Sequence, residues 1–322
     1  MPAFNRKLSV APMMDWTDRH CRFFHRLLSE KTLLYTEMVT AQAVIHGHRD
    51  RLLGYSPEEQ PLALQLGGSD PALLARATRI AADFGYQEVN LNVGCPSDRV
   101  QSGSFGAVLM EQPALVAECV SAMQGFGPEI TVKCRIGVDE QEPRDVLPDF
   151  LQSVSAAGVE SFTIHARKAW LQGLSPKQNR DVPPLDYPLV YDMKAEFPDL
   201  EICINGGVES LDAALAHLKH VDGVMIGRAA YHQPFAILPE ADQRIFGQGS
   251  VKPEAWVIAR MCDYIEVELA KGARLNQITR HMLGAFAGRP GARQWRRTLS
   301  EGAHLDGAGP ALVMQAYGAV KG

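Results

Sequence analysis

The sequence lacks a long apolar segment. Nowhere in its 322 residues do about 18 apolar residues follow one another, and the first residues, MPAFNRKLSVAPMM, contain no basic segment followed by an apolar run. We therefore expect neither membrane insertion nor secretion. The sequence predicts a cytoplasmic protein with no membrane partner.

Cysteine and histidine lack the arrangements that two common kinds of site require. The six cysteines show no CxxC spacing, so they fit neither a disulfide framework nor a zinc site, and we expect free thiols. His46 and His48 form one pair and His217 and His220 another, but neither pair has carboxylate or thiolate partners at ligand spacing. We interpret these histidines as surface residues and predict no metal site.

Acidic residues are scarce near the carboxyl terminus, although they are in excess overall. The net charge is −5, yet residues 251–322 contain more basic than acidic side chains. One stretch without any acidic residue contains Arg280, Arg289, Arg293, Arg296 and Arg297. This density is typical of a protein that binds a polyanion, and equally of a solvated helix face.

One pattern repeats eight times: a short β-branched apolar run, a polar or glycine-containing loop, and an amphipathic stretch of helical period. The predicted strands are 8–14, 33–39, 61–67, 88–94, 129–137, 161–167, 201–207 and 223–229. Strict alternation implies parallel strands with right-handed crossovers, and eight units match a closed (β/α)8 TIM barrel. An open doubly wound sheet is the alternative, weakened by the absence of a GxGxxG turn.

The alternation stops after residue 240. The segment FGQGSVKPEA is typical of a linker, and the residues beyond it have helical period throughout. We predict an α/β chain with a barrel over residues 1–242 and an all-helical domain over residues 251–322. The helical domain would carry most of the basic cluster.

Chemistry in such a barrel takes place at the carboxyl ends of the strands. Asn205, Gly206 and Gly207 follow the seventh strand, and Gly227 and Arg228 follow the eighth. Glycines allow the backbone to approach a phosphate group closely, and the guanidinium of Arg228 can bind two of its oxygens. The loops after the seventh and eighth strands also form the usual phosphate site of the fold. The alternative is that the glycines only make tight turns.

Other polar residues at the same end are consistent with a flavin mononucleotide, FMN. Lys133 lies in an otherwise apolar strand without an obvious carboxylate partner, so it is a candidate for stabilising negative charge on the flavin ring. Gln65 offers a donor and an acceptor to a flavin or pyrimidine edge. His165 is a candidate ligand contact, with a packing role as the alternative.

The sequence resembles the tRNA-dihydrouridine synthases over essentially its whole length. The motifs that carry the resemblance are APMMDWTDRHCR, YTEMV, LQLGGSDP, LNVGCPSDRV, VKCRIG, IHARKAW, INGGV and GVMIGRAAY. Two further stretches, GLSPKQNRDVPPLDYP and ITRHMLGAFAGRPGARQWRR, resemble the A subgroup, which modifies uridines near position 20 of the tRNA D-loop.

The resemblance implies a flavoenzyme that acts on tRNA as a monomer, without a stable protein partner. FMN would take a hydride from NADPH, or from NADH, and pass it to C6 of uracil at positions 20 and 20a, while Cys95 protonates C5. The residues implied to contact FMN are Ala11, Pro12, Met13, Gln65, Lys133, His165, Asn205, Gly206, Gly207, Gly227 and Arg228. The residues implied to bind tRNA are Asn92, at the target uracil, and Lys177, Arg180, Arg293 and Arg296.

The chemistry of uracil reduction supports a role for Cys95. Hydride addition at C6 places negative charge on C5 and O4, so an acid must deliver a proton to carbon. We expect Cys95 to act as a neutral thiol, which an apolar mouth would favour.

Two other functions stay open at this point. An FMN barrel that reduces a small molecule, of the dihydroorotate- or enone-reducing kind, would share the phosphate site but leave the basic helical domain unexplained. An RNA-binding barrel without activity would explain the arginines but give no role to Lys133 or Cys95.

Overall fold

Eight parallel strands form the central element of the computed structural model, which describes residues 4–97 and 105–320. Each strand consists largely of buried β-branched and apolar residues. The strands are β1 (Leu8–Val10), β2 (Leu34–Thr40), β3 (Leu62–Gly67), β4 (Glu88–Val93), β5 (Glu129–Arg135), β6 (Ser161–His165), β7 (Glu201–Asn205) and β8 (Gly223–Ile226).

The strand order closes the sheet into a barrel. Each strand pairs in parallel with its sequence neighbour from β2 to β8, and β8 pairs with β1. A short bridge joins β1 to β2, where the Val10 N–H donates to the Leu33 carbonyl at 2.9 Å and the Leu33 N–H donates to the Leu8 carbonyl at 3.1 Å. The predicted (β/α)8 barrel is therefore confirmed.

Most strands end earlier than the sequence pattern predicts. The seventh was expected to reach residue 207 but ends at Asn205, because Gly206 and Gly207 have φ values of 109° and 69°. Positive φ is incompatible with strand geometry, so these glycines begin the loop. The difference places the polar residues after β6, β7 and β8 in loops at the barrel mouth.

Helices follow the strands, and side chains cap the first turn of two of them. The Asp70 carboxylate accepts from the Leu73 N–H at 2.9 Å, and the Ser210 hydroxyl accepts from the Ala213 N–H at 3.1 Å. The helices are α1 (Arg19–Leu28), α2 (Ala41–His46), α3 (Arg49–Leu53), α4 (Pro71–Asp83), α5 (Pro113–Met123), α6 (Pro143–Ala156), α7 (Tyr187–Glu196), α8 (Leu211–His217), α9 (Arg228–His232), α10 (Pro234–Ile237), α11 (Ala241–Phe246), α12 (Glu254–Ala270), α13 (Leu275–Thr279), α14 (Ala292–Gly302) and α15 (Pro310–Gly318). Short 3-10 helices span Pro57–Glu59, Gly106–Glu111 and Gln178–Arg180. None of the described helices is both long enough and apolar enough to cross a membrane.

Helices α12 and α13 pack against α1 of the barrel. Tyr264 of α12 stacks on Phe23 of α1 with a ring separation of 3.9 Å. At the start of α1, the Asp18 carboxylate accepts from Arg280 at 2.6 Å and from His281 at 3.0 Å. Burial alone would raise the pKa of Asp18, but the hydrogen bonds from His281 and Arg280 hold it below its ordinary value. The division of the chain into two domains at residues 242 and 251 stays a prediction.

The floor of the barrel, opposite the mouth, is closed by a buried ion cluster. The Arg6 guanidinium contacts Glu88 at 2.7 Å, Glu129 at 2.8 Å and Glu201 at 2.6 Å. Arg6 is 2% exposed and Glu88 is fully buried, and Glu88 also accepts from the Tyr35 hydroxyl at 2.8 Å. The sequence analysis gave these residues no role.

One histidine differs from its predicted surface position. His217 is buried, and its Nδ1 lies 2.7 Å from the Tyr191 hydroxyl of α7. The interpretation of His217 as a surface residue was wrong, because the packing of α7 on α8 is not visible in the local sequence.

Candidate active site

Strand register brings most of the predicted site residues together at the barrel mouth. Asn92 of β4 lies beside Lys133 of β5, while Arg135 lies beside His165 of β6, which lies beside Asn205 of β7. Because adjacent register partners in a parallel sheet face the same side, these side chains share the barrel interior. The mouth is therefore assembled from strands far apart in sequence.

The loops after β7 and β8 form a narrow glycine-lined cradle. A Cβ at Gly206 would lie 2.6 Å from the His165 ring, and a Cβ at Gly207 would lie 2.6 Å from Leu185. Neither position accepts a side chain, so the backbone approaches the mouth closely there. Gly227 has space around it, with Ala11 and Met13 of the β1 loop as its neighbours.

Two arginines border this cradle and meet at Asp181. Arg228 contacts the Asp181 carboxylate at 2.7 Å, so an anion bound by Arg228 would compete with that carboxylate. Arg167 donates to the Asp181 and Pro183 carbonyls, while its buried Nε has no hydrogen-bond partner among the described residues. A buried donor without a partner is costly, so Nε marks a place for an acceptor from a ligand. The sequence pattern gave Arg167 no role.

Lys133 is a half-buried ammonium group without an ion pair among the described residues. Burial, and after it the nearby positive charge of Arg135, lowers its pKa to about 8. Burial, followed by the charges of Arg135, Lys133, Arg167 and Arg180, holds the pKa of His165 well below its ordinary value. Lys133 can therefore stabilise negative charge, and His165 is a neutral imidazole.

The lowered pKa of Lys133 predicts a pH dependence of stability. An amine whose pKa is lower in the folded state binds fewer protons there, so the free energy of unfolding should rise as pH increases from 8 to 10.5. In protein without bound ligand, Lys133→Met should remove up to about 3 kcal/mol of that rise. Chemical denaturation at pH 7.5 and pH 10 measures it.

Lys177→Met provides the matched control, because Lys177 is exposed in a loop at the same mouth. This variant should keep the pH dependence of the unsubstituted protein. An equal rise in all three proteins would show that Lys133 is not perturbed by burial.

Cys95 lies at the mouth on a turn that hydrogen bonds hold on both sides. The Asn92 Oδ1 accepts from the Cys95 N–H at 3.0 Å, and the Cys95 carbonyl accepts from the Ala107 N–H at 2.9 Å. Its half-buried sulfur lies 3.4 Å from the Ser97 hydroxyl. The remainder of this loop, residues 98–104, lies outside the described residues.

The surroundings of Cys95 are cationic. Lys133, Arg135 and Arg180 all lie within electrostatic range of it. The expectation of an apolar mouth was wrong, because β5 and the β6 loop bring three basic side chains to one place. A thiolate formed at Cys95 would find countercharges there.

Arg135 joins the Cys95 turn to the long loop after β6. It is 2% exposed and donates to the carbonyls of Gly94 at 3.1 Å, Lys168 at 3.0 Å and Asn179 at 3.0 Å. Burial lowers the pKa of Arg135 to about 10. The sequence pattern gave no role to Arg135 and no signal for Asn179, whose buried amide orders the loop around Trp170.

Apart from Asn92, which lies in the barrel interior, the predicted tRNA-binding residues lie on two exposed surfaces. Lys177 and Arg180 are exposed on the β6 loop, and Arg293 and Arg296 are exposed on α14. Neither Arg293 nor Arg296 forms an ion pair with a described residue. The other arginines of the basic cluster are paired: Arg280 with Asp18, Arg289 with Glu254, and Arg297 with Glu301.

These features fit FMN. The glycine cradle and Arg228, with the unpartnered Nε of Arg167, match the needs of a phosphate, and the unpaired Lys133 matches a ring that gains negative charge. The Asn205 amide already donates to the Met225 carbonyl at 2.8 Å, which leaves its oxygen for a ligand. The individual contacts of FMN with this chain stay a prediction.

Comparison with known proteins identifies relatives over nearly the whole chain. The family model "Dihydrouridine synthase (Dus)" matches residues 9–320. The tRNA-dihydrouridine(20/20a) synthase of Vibrio cholerae is 59% identical over 96% of this chain and 95% of that protein. The protein of the same name from Escherichia coli (strain K12) is 59% identical over 94% of this chain and 88% of its own length.

A solved structure supports the fold. The old yellow enzyme homologue from Zymomonas mobilis superposes with a TM-score of 0.53 at 11% identity, covering 77% of this chain and 90% of that chain. At this identity the likeness concerns the barrel alone. The sequence relatives agree with the family that the motifs indicate.

Proposed function

Because this chain belongs to the dihydrouridine synthase family, we propose that it reduces uridine to dihydrouridine at positions 20 and 20a of the tRNA D-loop, with FMN as cofactor and NADPH, or NADH, as electron donor. The observation that carries the proposal is the placement of Cys95 at the mouth beside the unpaired Lys133. One group can donate a proton and the other can stabilise negative charge.

The cofactor site would use both sides of the mouth. The cradle of Gly206 and Gly207, with Gly227 and Arg228, would hold the phosphate. Lys133, Gln65 and His165 would face the ring system, and the β1 loop from Ala11 to Met13 would border it. FMN would supply the hydride that reaches C6 of uracil.

Proton transfer would fall to Cys95. As negative charge develops on C5 of the base, the thiol donates its proton to that carbon and becomes a thiolate. Lys133, Arg135 and Arg180 all lie within electrostatic range of that sulfur. Solvent must reprotonate the sulfur for the next turnover.

The RNA would bind mainly through its phosphates. A base that reacts inside a barrel must leave its stack, which costs less in a loop than in a duplex, and this favours the D-loop. Lys177 and Arg180 on one side of the mouth and Arg293 and Arg296 on α14 would contact the backbone. A cytoplasmic monomer is consistent with this function.

The double variant Arg293→Ala/Arg296→Ala tests the RNA-binding surface. Log affinity for tRNA falls as log salt concentration rises. Each lost phosphate contact should reduce the steepness of that fall by about one unit, so this variant should reduce it by about two. Filter binding of unmodified tRNA between low and physiological salt measures it. FMN content should stay unchanged.

Arg297→Ala is the control from the same helix, because Arg297 already pairs with Glu301 at 3.0 Å. It should bind tRNA with the slope of the unsubstituted protein. If the double variant also kept that slope, α14 would not be part of the RNA-binding surface.

Stimulation of NADPH oxidation tests the reaction itself. Purified protein should be yellow and should oxidise NADPH faster with unmodified tRNA, but not with free uridine or orotate. Equal stimulation by orotate would favour a small-molecule reductase. A colourless protein that binds tRNA would favour an RNA-binding barrel.

A further inference from the structure

A continuous chain of buried hydrogen bonds crosses the barrel interior from its floor to the Cys95 turn. Gln65, Asn90 and Thr131 are register partners on β3, β4 and β5, so they form one layer of the interior. Glu88 lies two residues before Asn90 on the same face of β4, and Asn92 lies two residues after it. Period-2 alternation therefore connects the floor and the mouth through β4.

The hydrogen bonds between the side chains of this chain are 2.8 or 2.9 Å long, which is the ordinary length of such bonds. Thr131 Oγ1 donates to Glu88 at 2.8 Å, and Asn90 Nδ2 donates to Thr131 Oγ1 at 2.8 Å. Gln65 Nε2 donates to Asn90 Oδ1 at 2.9 Å, and Asn92 Nδ2 donates to Gln65 Oε1 at 2.9 Å.

The chain ends at the Cys95 turn. Asn92 Oδ1 accepts from the N–H groups of both Gly94 and Cys95, at 3.1 and 3.0 Å. From Cys95 to Glu88, each group therefore donates toward the floor.

Both ends of the chain set this direction, because the N–H groups of Gly94 and Cys95 can only donate to Asn92 and the Glu88 carboxylate can only accept. The Glu88 carboxylate is bound by Arg6 at 2.7 Å and by the Tyr35 hydroxyl at 2.8 Å, so it remains an acceptor. The Thr131 hydroxyl must then donate to Glu88 and accept from Asn90. The Asn90 oxygen is left to accept from Gln65, and the Gln65 oxygen is then left to accept from Asn92.

The orientation of the Gln65 and Asn92 amides decides whether hydrogen-bond donors or acceptors are available to a ligand at the mouth. Asn92 Oδ1 already accepts two hydrogen bonds, and Gln65 Oε1 accepts one. Each amide nitrogen keeps one N–H that the chain does not use, because an amide carries two donors and each donates once here. The two side chains therefore offer donors, which suit the carbonyl oxygens of a pyrimidine-dione ring.

We infer that Thr131 and Asn90 are positioning residues that fix the Gln65 amide from the floor side, as the Cys95 turn fixes the Asn92 amide from the mouth side, and so select a ring with carbonyl acceptors at the mouth. This inference rests on the proposed function, since such a ring occurs in FMN and in uracil. Neither Thr131 nor Asn90 needs to contact either ligand. Their effect passes through hydrogen bonds in a layer where water is excluded.

Thr131→Val tests the inference, because valine has nearly the shape of threonine but has no hydroxyl. Dilution of the FMN-loaded enzyme, followed by flavin fluorescence, should show a dissociation constant about tenfold higher than that of the unsubstituted enzyme. Thr131→Ser restores the hydroxyl and should bring the constant back to within about twofold. The alkylation rate of Cys95, measured on its peptide by mass spectrometry, should change in Thr131→Val and return in Thr131→Ser.

Thr78→Val is the matched control. Thr78 is also fully buried and hydrogen-bonded, to the Leu74 carbonyl at 2.9 Å, but it lies in α4 outside the barrel interior. Thr78→Val should lower the unfolding midpoint as Thr131→Val does, but it should leave the dissociation constant of FMN unchanged. Equal dissociation constants of FMN in Thr131→Val and Thr78→Val would overturn the inference.

A second variant covers the case in which Thr131→Val does not fold. Asn90→Leu has nearly the size of asparagine but removes both the acceptor for Gln65 and the donor to Thr131, and it should also raise the dissociation constant about tenfold. An unchanged constant would overturn the inference. If the unsubstituted protein did not bind FMN, the proposed function would fail first, and that result is distinct from an unchanged constant in a protein that does bind it.

Discussion

Cys95→Ala should reduce the rate of dihydrouridine formation by about 10³-fold or more, since a positioned general acid contributes on the order of 10²–10⁴ and carbon is a poor proton acceptor from water. The variant removes only a half-buried sulfur, and hydrogen bonds to Asn92 and Ala107 still hold the backbone of residue 95. FMN content and tRNA affinity should therefore match those of the unsubstituted enzyme. Single-turnover reduction of unmodified tRNA, with FMN measured by absorbance, gives both quantities.

Cys262→Ala is the control for loss of a thiol. Cys262 is also half-buried, but it lies in α12, away from the mouth, with its sulfur 3.9 Å from the Pro310 carbonyl. This variant should keep full activity. Full activity in Cys95→Ala as well would remove the proton donor from the mechanism.

Arg6→Met should lower the free energy of unfolding by about 3–5 kcal/mol, because it leaves three carboxylates around a buried space without their cation. Arg6 bonds Glu88, Glu129 and Glu201 within 2.8 Å, and Glu88 is fully buried. Urea denaturation at pH 7 measures the loss. Because Glu88 also directs the interior hydrogen bonds, the folded fraction should release FMN faster.

Arg144→Met is the control for loss of an ion-paired arginine. Arg144 pairs with Asp192 at 3.0 Å, but both side chains are more than half exposed, and an exposed pair contributes little. Little or no change in stability is expected. Equal stability of Arg6→Met and the unsubstituted protein would contradict the role assigned to the floor cluster.

The barrel could be predicted from the sequence because its signal is local. Each strand is a short apolar run, each helix has its own period, and local side chains such as Asp70 and Ser210 cap helices. Strand ends were less predictable. Gly206 and Gly207 continue the sequence pattern of β7, and only their positive φ values show that they leave the sheet.

The sequence was sufficient to predict which residues lie at the mouth, but not which of their side chains contact one another. Strand ends in a parallel barrel must converge, so Lys133 and Cys95 could be placed together. The cationic surroundings of Cys95 were missed because Arg180 reaches the mouth on a long loop that Arg135 and Asn179 hold in place. Such contacts join segments whose distance is set by the tertiary fold.

The interior hydrogen-bond chain left a signal in the sequence that was not used. Glu88, Asn90 and Asn92 occupy alternate positions of a strand whose intervening residues are apolar. Polar residues with period 2 in a buried parallel strand must point into the barrel and find partners there. The partner Thr131 could be identified only from the strand register, and the partner Arg6 only from the tertiary structure.

The central claim is that this chain makes dihydrouridine at positions 20 and 20a of tRNA, with Cys95 as the proton donor. The most direct measurement maps dihydrouridine in tRNA from cells that lack this chain and from the same cells supplied with the unsubstituted protein or with Cys95→Ala. We predict uridine at both positions in the deficient cells, dihydrouridine with the unsubstituted protein, and uridine again with Cys95→Ala. Dihydrouridine at both positions in the deficient cells would contradict the account.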